Sequence, residues 1–135
     1  MNRASLQAAI DSSPFNLFLG IEVEEVDVAA LMLRLSMPLR PELRRAADSE
    51  QFHGGPLAAL VDIAGDYVVL LKAGGGVPTV HLEVDFLRPA SGPRVTAVAR
   101  ARRIGRTLGF VDVEVADPSG RQCVAGRGIY LALPG

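Results

Sequence analysis

The alternation of apolar and polar residues predicts that the chain opens with a short helix followed by a β-hairpin. Residues 3–12 suit the helix, and residues 21–28 and 31–37 are β-like. In the second run the apolar positions Leu31, Leu33, Leu35 and Met37 alternate with Met32, Arg34 and Ser36. Three apolar residues before the hairpin are expected to cover an edge of the core: Phe15, Leu17 and Phe18. Residues 38–52, rich in proline and charge, predict a loop.

The middle of the chain predicts one long helix over residues 56–72. One face carries Leu57, Leu60, Val61, Ala64, Val68 and Leu71, and the opposite face carries Ala58, Ala59, Ile63, Gly65 and Val69. Because both faces are poor in charge, most of the circumference must be covered by other elements. Pro56 suits the first helical turn, where a missing N–H has no intrahelical partner. Three glycines at residues 74–76 end the helix.

Four further runs are strand-like and no helix separates them. They cover residues 79–87, 95–103, 110–116 and 123–133, with turn residues such as those at 117–120 between them. Consecutive strands without an intervening helix are expected to pair antiparallel. The prediction is an α+β fold in which a curved antiparallel sheet wraps one long central helix, as a single domain over residues 1–135.

Composition and charge restrict the class of partner. The 135 residues are 49% hydrophobic and carry 14 Lys and Arg against 15 Asp and Glu. This balance gives no reason to expect nucleic acid or an anionic membrane, so we expect small molecules or copies of the chain as partners. The one cysteine, Cys123, excludes an internal disulfide and is expected to be a small buried hydrophobe on a late strand.

The amino terminus lacks the apolar core of a signal peptide, and we expect no apolar run long enough to span a bilayer. These features predict a soluble cytoplasmic protein. Two histidines in this sequence do not resemble a set of metal ligands, and His81 is expected on a strand surface.

Asp62 is the residue whose position most suggests chemistry. It falls in the second turn of a helix that is otherwise apolar nearly all round. Burial of an unpaired carboxylate is costly, so such a residue is usually hydrogen-bonded, paired or functional. The pattern leaves open that Asp62 faces a solvent gap or caps a neighbouring element. Asp66, one turn later, shares its face and is expected to be solvated or at an interface.

The triplet His53, Gly54 and Gly55 immediately precedes Pro56. Free N–H groups at a helix start favour developing negative charge, and glycine lets a carbonyl approach the backbone closely. Gly55 is the natural donor because Pro56 has no N–H. A turn that merely leads the chain into the helix explains the triplet equally well.

Taken together, these segments resemble a known family. Residues 53–62, HGGPLAALVD, resemble the signature of hotdog-fold acyl-CoA thioesterases of the phenylacetate-pathway type, with nine steps from the histidine to the acid. Residues 79–90 resemble the next strand of that family, and residues 102–106 with 111–115 resemble its closing hairpin. The resemblance extends over nearly all of residues 14–133.

The resemblance implies roles for individual residues. Asp62 corresponds to the acid that acts as a general base toward water or attacks the thioester directly, and the Gly55 N–H corresponds to the donor that polarises the carbonyl. Thr79 matches the position of a hydroxyl that holds the acid or the water. Sites in this family form at a dimer interface, and we expect a homotetramer built from two dimers. Related sequences carry an asparagine six residues before the histidine, where this chain has Ala47.

A coenzyme A thioester also requires cationic groups for its phosphates and a narrow apolar channel. The candidates are Arg88, Arg102, Arg103 and Arg106. Asp48, Ser49 or Gln51 are candidates to replace the missing asparagine. No cofactor is expected, since coenzyme A is part of the substrate. Two alternatives stay open: a hotdog hydratase or dehydratase using His53 and Asp62, and a noncatalytic acyl-CoA-binding module.

Overall fold

A computed structural model describes residues 1–133 and confirms the α+β prediction. In chain order the elements are α1 (Arg3–Asp11), α2 (Pro14–Leu19), β1 (Glu22–Asp27), β2 (Met32–Pro38), a 3₁₀ turn (Pro41–Leu43), α3 (Gly54–Ala73), β3 (Thr79–Phe86), β4 (Arg94–Ile104), β5 (Leu108–Ala116) and β6 (Gln122–Leu131). The six strands form one antiparallel sheet in the order β1-β2-β4-β5-β6-β3. The sheet curves around α3, which is the arrangement of the hotdog fold.

Helix α3 forms the centre of the core and packs against β4, β5 and β6. Two strand glycines let the helix approach the sheet closely. A methyl group at Gly126 would lie 2.5 Å from the Val61 side chain, and one at Gly109 would lie 2.7 Å from Val69. Contact this close excludes water from the helix–sheet interface and buries apolar surface on both sides.

The expectation that no apolar run reaches the length of a bilayer needs correction. By length and composition alone, the 20 residues of α3 are long and apolar enough to cross a membrane. In the fold, however, this segment is the core helix inside the sheet. Its apolar character therefore reflects burial on several sides, which is the usual reason for an apolar helix in a globular domain.

Both ends of α3 are capped, and the glycine at its end was predicted from the sequence. His53 is the N-cap residue and Gly74 is the C-cap residue, with a positive φ of 76° that glycine adopts without steric penalty. The helix begins two residues before the predicted Pro56, so that proline is the third helical residue and still lies in the first turn.

The prediction that Phe15, Leu17 and Phe18 cover a core edge is wrong. Residues 14–19 form helix α2, which buries Asn16 and Leu19, three residues apart on one face. The three apolar side chains consequently point outwards and are 55%, 58% and 45% exposed.

The β1–β2 hairpin has the predicted pairing but buries more than the predicted side chains. Leu33, Leu35 and Met37 are fully buried, while Met32 and Ser36 are also buried on the other side of β2. The Ser36 hydroxyl donates to Glu24 Oε1 at 2.6 Å, which satisfies its buried oxygen. Cys123 is buried on β6 and His81 is exposed on β3, as predicted.

Strand β3 lies at an edge of the sheet, and its outer side pairs with no strand among the described residues. Unusually for a strand, none of its residues is fully buried. Val80 and Phe86 are each 55% exposed, and Leu87, just beyond the strand, is 50% exposed. An open edge beside apolar side chains is the type of surface that another chain covers.

Candidate active site

The two polar residues predicted to act together, Asp62 and Thr79, are in contact. Asp62 projects from the third turn of α3, and Thr79 begins β3. The Thr79 hydroxyl donates to Asp62 Oδ1 at 2.8 Å. Asp62 is half-buried and Thr79 is exposed, so the contact lies at the open edge of the sheet. Asp62 Oδ2 accepts no side-chain hydrogen bond from residues 1–133, which leaves this oxygen for a water or a substrate atom.

Asp66 is more strongly desolvated than the sequence suggested. Burial, reinforced by the neighbouring Asp62 carboxylate, raises the pKa of Asp66 from 3.8 to about 7. Asp66 is therefore not the fully solvated carboxylate that was one of the two expectations, and the other, a place at an interface, stays a prediction. The physical reason is that α3 is still enclosed at this turn, where Val68 and Val69 are fully buried.

The raised pKa predicts that Asp66 destabilises the fold above neutral pH. Because the pKa is about 7 in the folded state and near 3.8 in the unfolded chain, the folded state binds more protons between these values and loses stability as pH rises. Asp66→Asn is expected to raise the free energy of unfolding at pH 8, with a gain that shrinks at pH 5 and disappears near pH 4. Urea unfolding of the variant and the parent at these pH values measures this difference in the free energy of unfolding.

Asp48→Asn provides the matched control, because Asp48 is exposed in the loop before α3. It should leave stability unchanged at each pH. An Asp66→Asn variant that is no more stable than the parent at pH 8 contradicts the desolvation of Asp66.

At the start of α3 the histidine and the second glycine bond to each other. The Gly55 N–H donates to His53 Nδ1 at 2.9 Å, so the imidazole caps the helix. A neutral ring that accepts at Nδ1 carries its proton on Nε2. The Gly54 N–H has no hydrogen-bond acceptor among the described residues. The predicted donor, Gly55, is thus engaged by His53, while its neighbour Gly54 is free.

An open groove of about 640 Å³ lies beside this helix start. His53 and Gly54 line it, together with the apolar residues Phe52, Leu57, Phe86, Leu87, Pro89 and Ala90. The Phe86 ring packs over Gly54, where a methyl group would lie 3.4 Å from the ring. The groove thus offers an apolar surface next to the free Gly54 N–H, a combination that suits an apolar chain ending in a carbonyl group.

The four predicted arginines are not in one place. Arg88 lines the groove and donates to the Gln122 carbonyl. Arg102 pairs with Asp112 at 3.4 Å, and Asp112 alternates along β5 with the buried Val111 and Val113. Arg102 therefore lies on the sheet face away from α3. Arg102 and Arg103 together line a shallow depression on the protein surface. Arg106 is in the β4–β5 turn.

Two groove residues were missed or only partly identified from sequence. Arg45 was not predicted at all, and Gln51 was one of three candidates to replace the absent asparagine. Both line the groove, and Arg45 donates to Gln51 Oε1 at 2.8 Å. In the sequence, the only feature that could have pointed to Arg45 and Gln51 as groove residues is the charged character of the loop before α3. Asp48 and Ser49 do not line the groove.

Within one chain the two halves of the site are well separated. Asp62 lies seven residues after Gly55 on α3, a spacing of about 10 Å along a helix axis. A base and a carbonyl donor that act on one thioester must both lie within about 3–3.5 Å of the reacting atoms. The helix start and the Asp62 carboxylate are therefore two separate features of α3 within one chain.

A long core helix wrapped by a curved antiparallel sheet is the architecture of the hotdog-fold class of proteins. The profile of the thioesterase superfamily matches residues 51–124, more than half of the chain, and includes both halves of the site. The chain belongs to the thioesterase superfamily and is a thioester hydrolase. Among residues 1–133, no group of three or more metal-binding side chains is present.

Individual relatives agree with this assignment. A solved structure of a thioesterase-superfamily protein has a TM-score of 0.88 at 34% identity and covers 96% of each chain. The Escherichia coli PaaI protein from the phenylacetic acid degradation operon shares the fold, with a TM-score of 0.85 at 24% identity over 98% of this chain and 93% of its own. The medium/long-chain acyl-CoA thioesterase YigI of Salmonella typhimurium is 28% identical over 87% of this chain and 84% of its own. The resemblance to this family is confirmed.

Proposed function

We propose that this protein hydrolyses acyl-CoA thioesters to a free acid and coenzyme A. The observation that carries the proposal is the Asp62 carboxylate held by Thr79 at the sheet edge, with Oδ2 unengaged. As general base, Asp62 takes a proton from water while the water oxygen attacks the carbonyl carbon and the thiolate leaves. As nucleophile, Asp62 attacks the same carbon and expels the thiolate to form an acyl–Asp62 anhydride, which water then hydrolyses to the free acid and the Asp62 carboxylate. No cofactor is required by either route.

We propose that two copies of the chain complete the site. If the β3 edges of two copies pair antiparallel about a two-fold axis between Leu82 and Glu83, Thr79 of one copy lies opposite Phe86 of the other. Because Phe86 packs over Gly54, this pairing brings the Asp62 carboxylate of one copy to the helix start of its partner. It also covers the exposed Val80 and Phe86. We propose further that two such dimers form a homotetramer and that the protein is cytoplasmic. Light scattering measures the molar mass of the assembly and so tests the tetramer.

A backbone N–H at the helix start polarises the thioester carbonyl in this proposal. Gly55 serves if the His53 ring rotates away from it, and Gly54 serves without rearrangement. Proline substitution removes each N–H in turn, and both positions lie in the first turn, where proline is tolerated. Comparison of kcat for Gly54→Pro and Gly55→Pro identifies the donor, because loss of an oxyanion donor costs about 10²–10³ in kcat.

For the phosphates of coenzyme A, we propose Arg88, with Arg45 as a second contact. Both line the groove beside the helix start, whereas Arg102 and Arg103 lie on the opposite face of the sheet. A cation that holds a distal phosphate binds the ground state and the transition state equally, so it contributes to KM more than to kcat.

Arg88→Ala is accordingly expected to raise KM about tenfold with little change in kcat, in line with the loss of one charge-assisted contact. Steady-state kinetics at low and high salt measure this change, which should shrink as salt screens the pair. Arg102→Ala is the control and should leave KM unchanged. The assignment is wrong if a short thioester without the nucleotide shows the same loss in Arg88→Ala.

An assay of different substrates can identify the preferred acyl group. The apolar lining of the groove favours an aliphatic or aromatic acyl chain over a charged one. YigI, which acts on medium and long chains, is the relative that suggests where to begin. A panel of short, medium, long and aromatic acyl-CoAs, with free thiol as the readout, tests the proposal. Absence of thiol release from every member of the panel would contradict the proposal.

A further inference from the structure

The residue Tyr130, near the end of β6, has a contact that packing alone does not require. The side chain is fully buried, and its hydroxyl donates to the Asp62 backbone carbonyl at 3.1 Å. That carbonyl lies inside α3, where it already accepts the regular helical bond from the N–H four residues later. The Tyr130 hydroxyl therefore adds a second donor to one particular turn of the helix, the turn that carries the Asp62 carboxylate.

The space that Tyr130 occupies is made by two glycines. A methyl group at Gly65 on α3 or at Gly128 on β6 would overlap the Tyr130 hydroxyl. Both positions must therefore lack a side chain if the ring is to reach the helix. Burial of the ring, followed by the nearby charges of Asp62 and Asp66, raises the pKa of Tyr130. The hydroxyl consequently stays protonated and remains a donor at any pH used for assay.

Tyr130 is also linked to Thr79 through the sheet. The two residues are directly opposite each other in the β3–β6 ladder. The next residue along, Leu131, donates its backbone N–H to the Pro78 carbonyl at 2.9 Å, which extends the pairing past the start of β3. Asp62 is thus held at two points: its carbonyl by Tyr130, and its carboxylate by Thr79, the cross-strand partner of Tyr130.

We propose that Tyr130 is a positioning residue that fixes the Asp62 turn of α3 against the Thr79 end of β3. The inference rests on the proposed function, in which Asp62 carries the chemistry. Tyr130 does not touch the substrate. It acts through the geometry of the Asp62–Thr79 hydrogen bond, because without its hydroxyl the helical turn can shift relative to the two strands.

Tyr130→Phe tests this proposal by removing one oxygen and leaving the ring in place. We expect kcat for acyl-CoA hydrolysis to fall about tenfold, since small displacements of a catalytic group are costly, while KM changes less than about twofold. Tyr67→Phe is the matched control. Tyr67 lies on α3, the helix that carries Asp62. Its hydroxyl donates to the Ala9 carbonyl at 3.3 Å and accepts from Asn16, so it anchors the amino-terminal helices and does not contact Asp62. Tyr67→Phe should lower the melting temperature without lowering kcat.

A double-mutant cycle with Thr79→Val separates positioning from general destabilisation. If Tyr130 acts through the Asp62–Thr79 contact, Tyr130→Phe should lower kcat by only about twofold when Thr79 is already valine. An undiminished tenfold effect in that background overturns the proposal, as does a kcat for Tyr130→Phe equal to that of Tyr67→Phe. If Tyr130→Phe is too unstable to assay at 25 °C, the comparison is made below its melting transition with both controls. Full activity of Asp62→Asn would instead refute the proposed function, which distinguishes the two failures.

Discussion

Replacement of Asp62 by asparagine is expected to abolish most thioester hydrolysis while the fold is retained. The amide is the same size as the carboxylate and can still accept the Thr79 hydrogen bond at its Oδ1. It cannot take a proton from water or attack a carbonyl carbon. A thiolate leaves readily, so the reaction depends on activation of the nucleophile more than on protonation of the leaving group. A general base contributes about 10²–10⁴ in rate, and kcat measured by thiol release should fall by that factor.

Asp66→Asn is the matched control for this experiment. The two aspartates lie one turn apart on α3, and burial raises the pKa of Asp66 to about 7. Its replacement is expected to change stability more than rate, because Asp66 has no contact with Thr79. Asp62 is not the catalytic carboxylate if Asp62→Asn retains full activity, or if Asp66→Asn lowers kcat more than Asp62→Asn does.

The second large effect is expected in mixed dimers. Two chains carrying different tags are co-expressed, one with Asp62→Asn and the other with the glycine-to-proline variant at residue 54 or 55 that proves inactive alone. A site built from both copies then has both normal halves on one side of the dimer and both altered halves on the other. The purified heterodimer should recover about half of the parent activity per dimer, although each variant alone is inactive.

The reciprocal heterodimer supplies the control. Here one chain carries both substitutions and its partner carries neither, so each shared site contains one altered half. This heterodimer should be inactive. If each chain contained a complete site, the results would be reversed: the first heterodimer would be inactive and the second would retain about half of the activity. The pair of measurements therefore tests the shared site independently of any structure of the dimer.

Sequence reasoning was most successful where a local pattern determines the structure. The periodicity of residues 56–72 identified α3 because a helix buried nearly all round has a distinctive composition. The family resemblance implied that the Thr79 hydroxyl holds the acid or the water, and in the structure this hydroxyl donates to Asp62. Their catalytic roles remain predictions.

Prediction from the sequence failed where the burial of a residue depends on contacts between distant segments. Leu17 is as apolar as Leu19, but only Leu19 faces the core, because α2 docks through one side. The His53–Gly55 bond depends on the orientation of a ring, which no spacing reveals. Tyr130 was overlooked since its partner Asp62 is 68 residues earlier and the glycines that admit it looked like ordinary strand and helix residues.

The position of β3 in the sheet also determines when the site can form during synthesis. β3 pairs only with β6 among the described strands, although β4 and β5 separate them in the chain. Such a non-local pairing is slow to close, and a chain emerging from the ribosome has α3 and Thr79 long before it has Tyr130. Until the last strand arrives, β3 has no partner within its own chain. The nascent protein therefore passes through a stage in which this apolar edge has no partner in its own chain and is open to pairing with other chains.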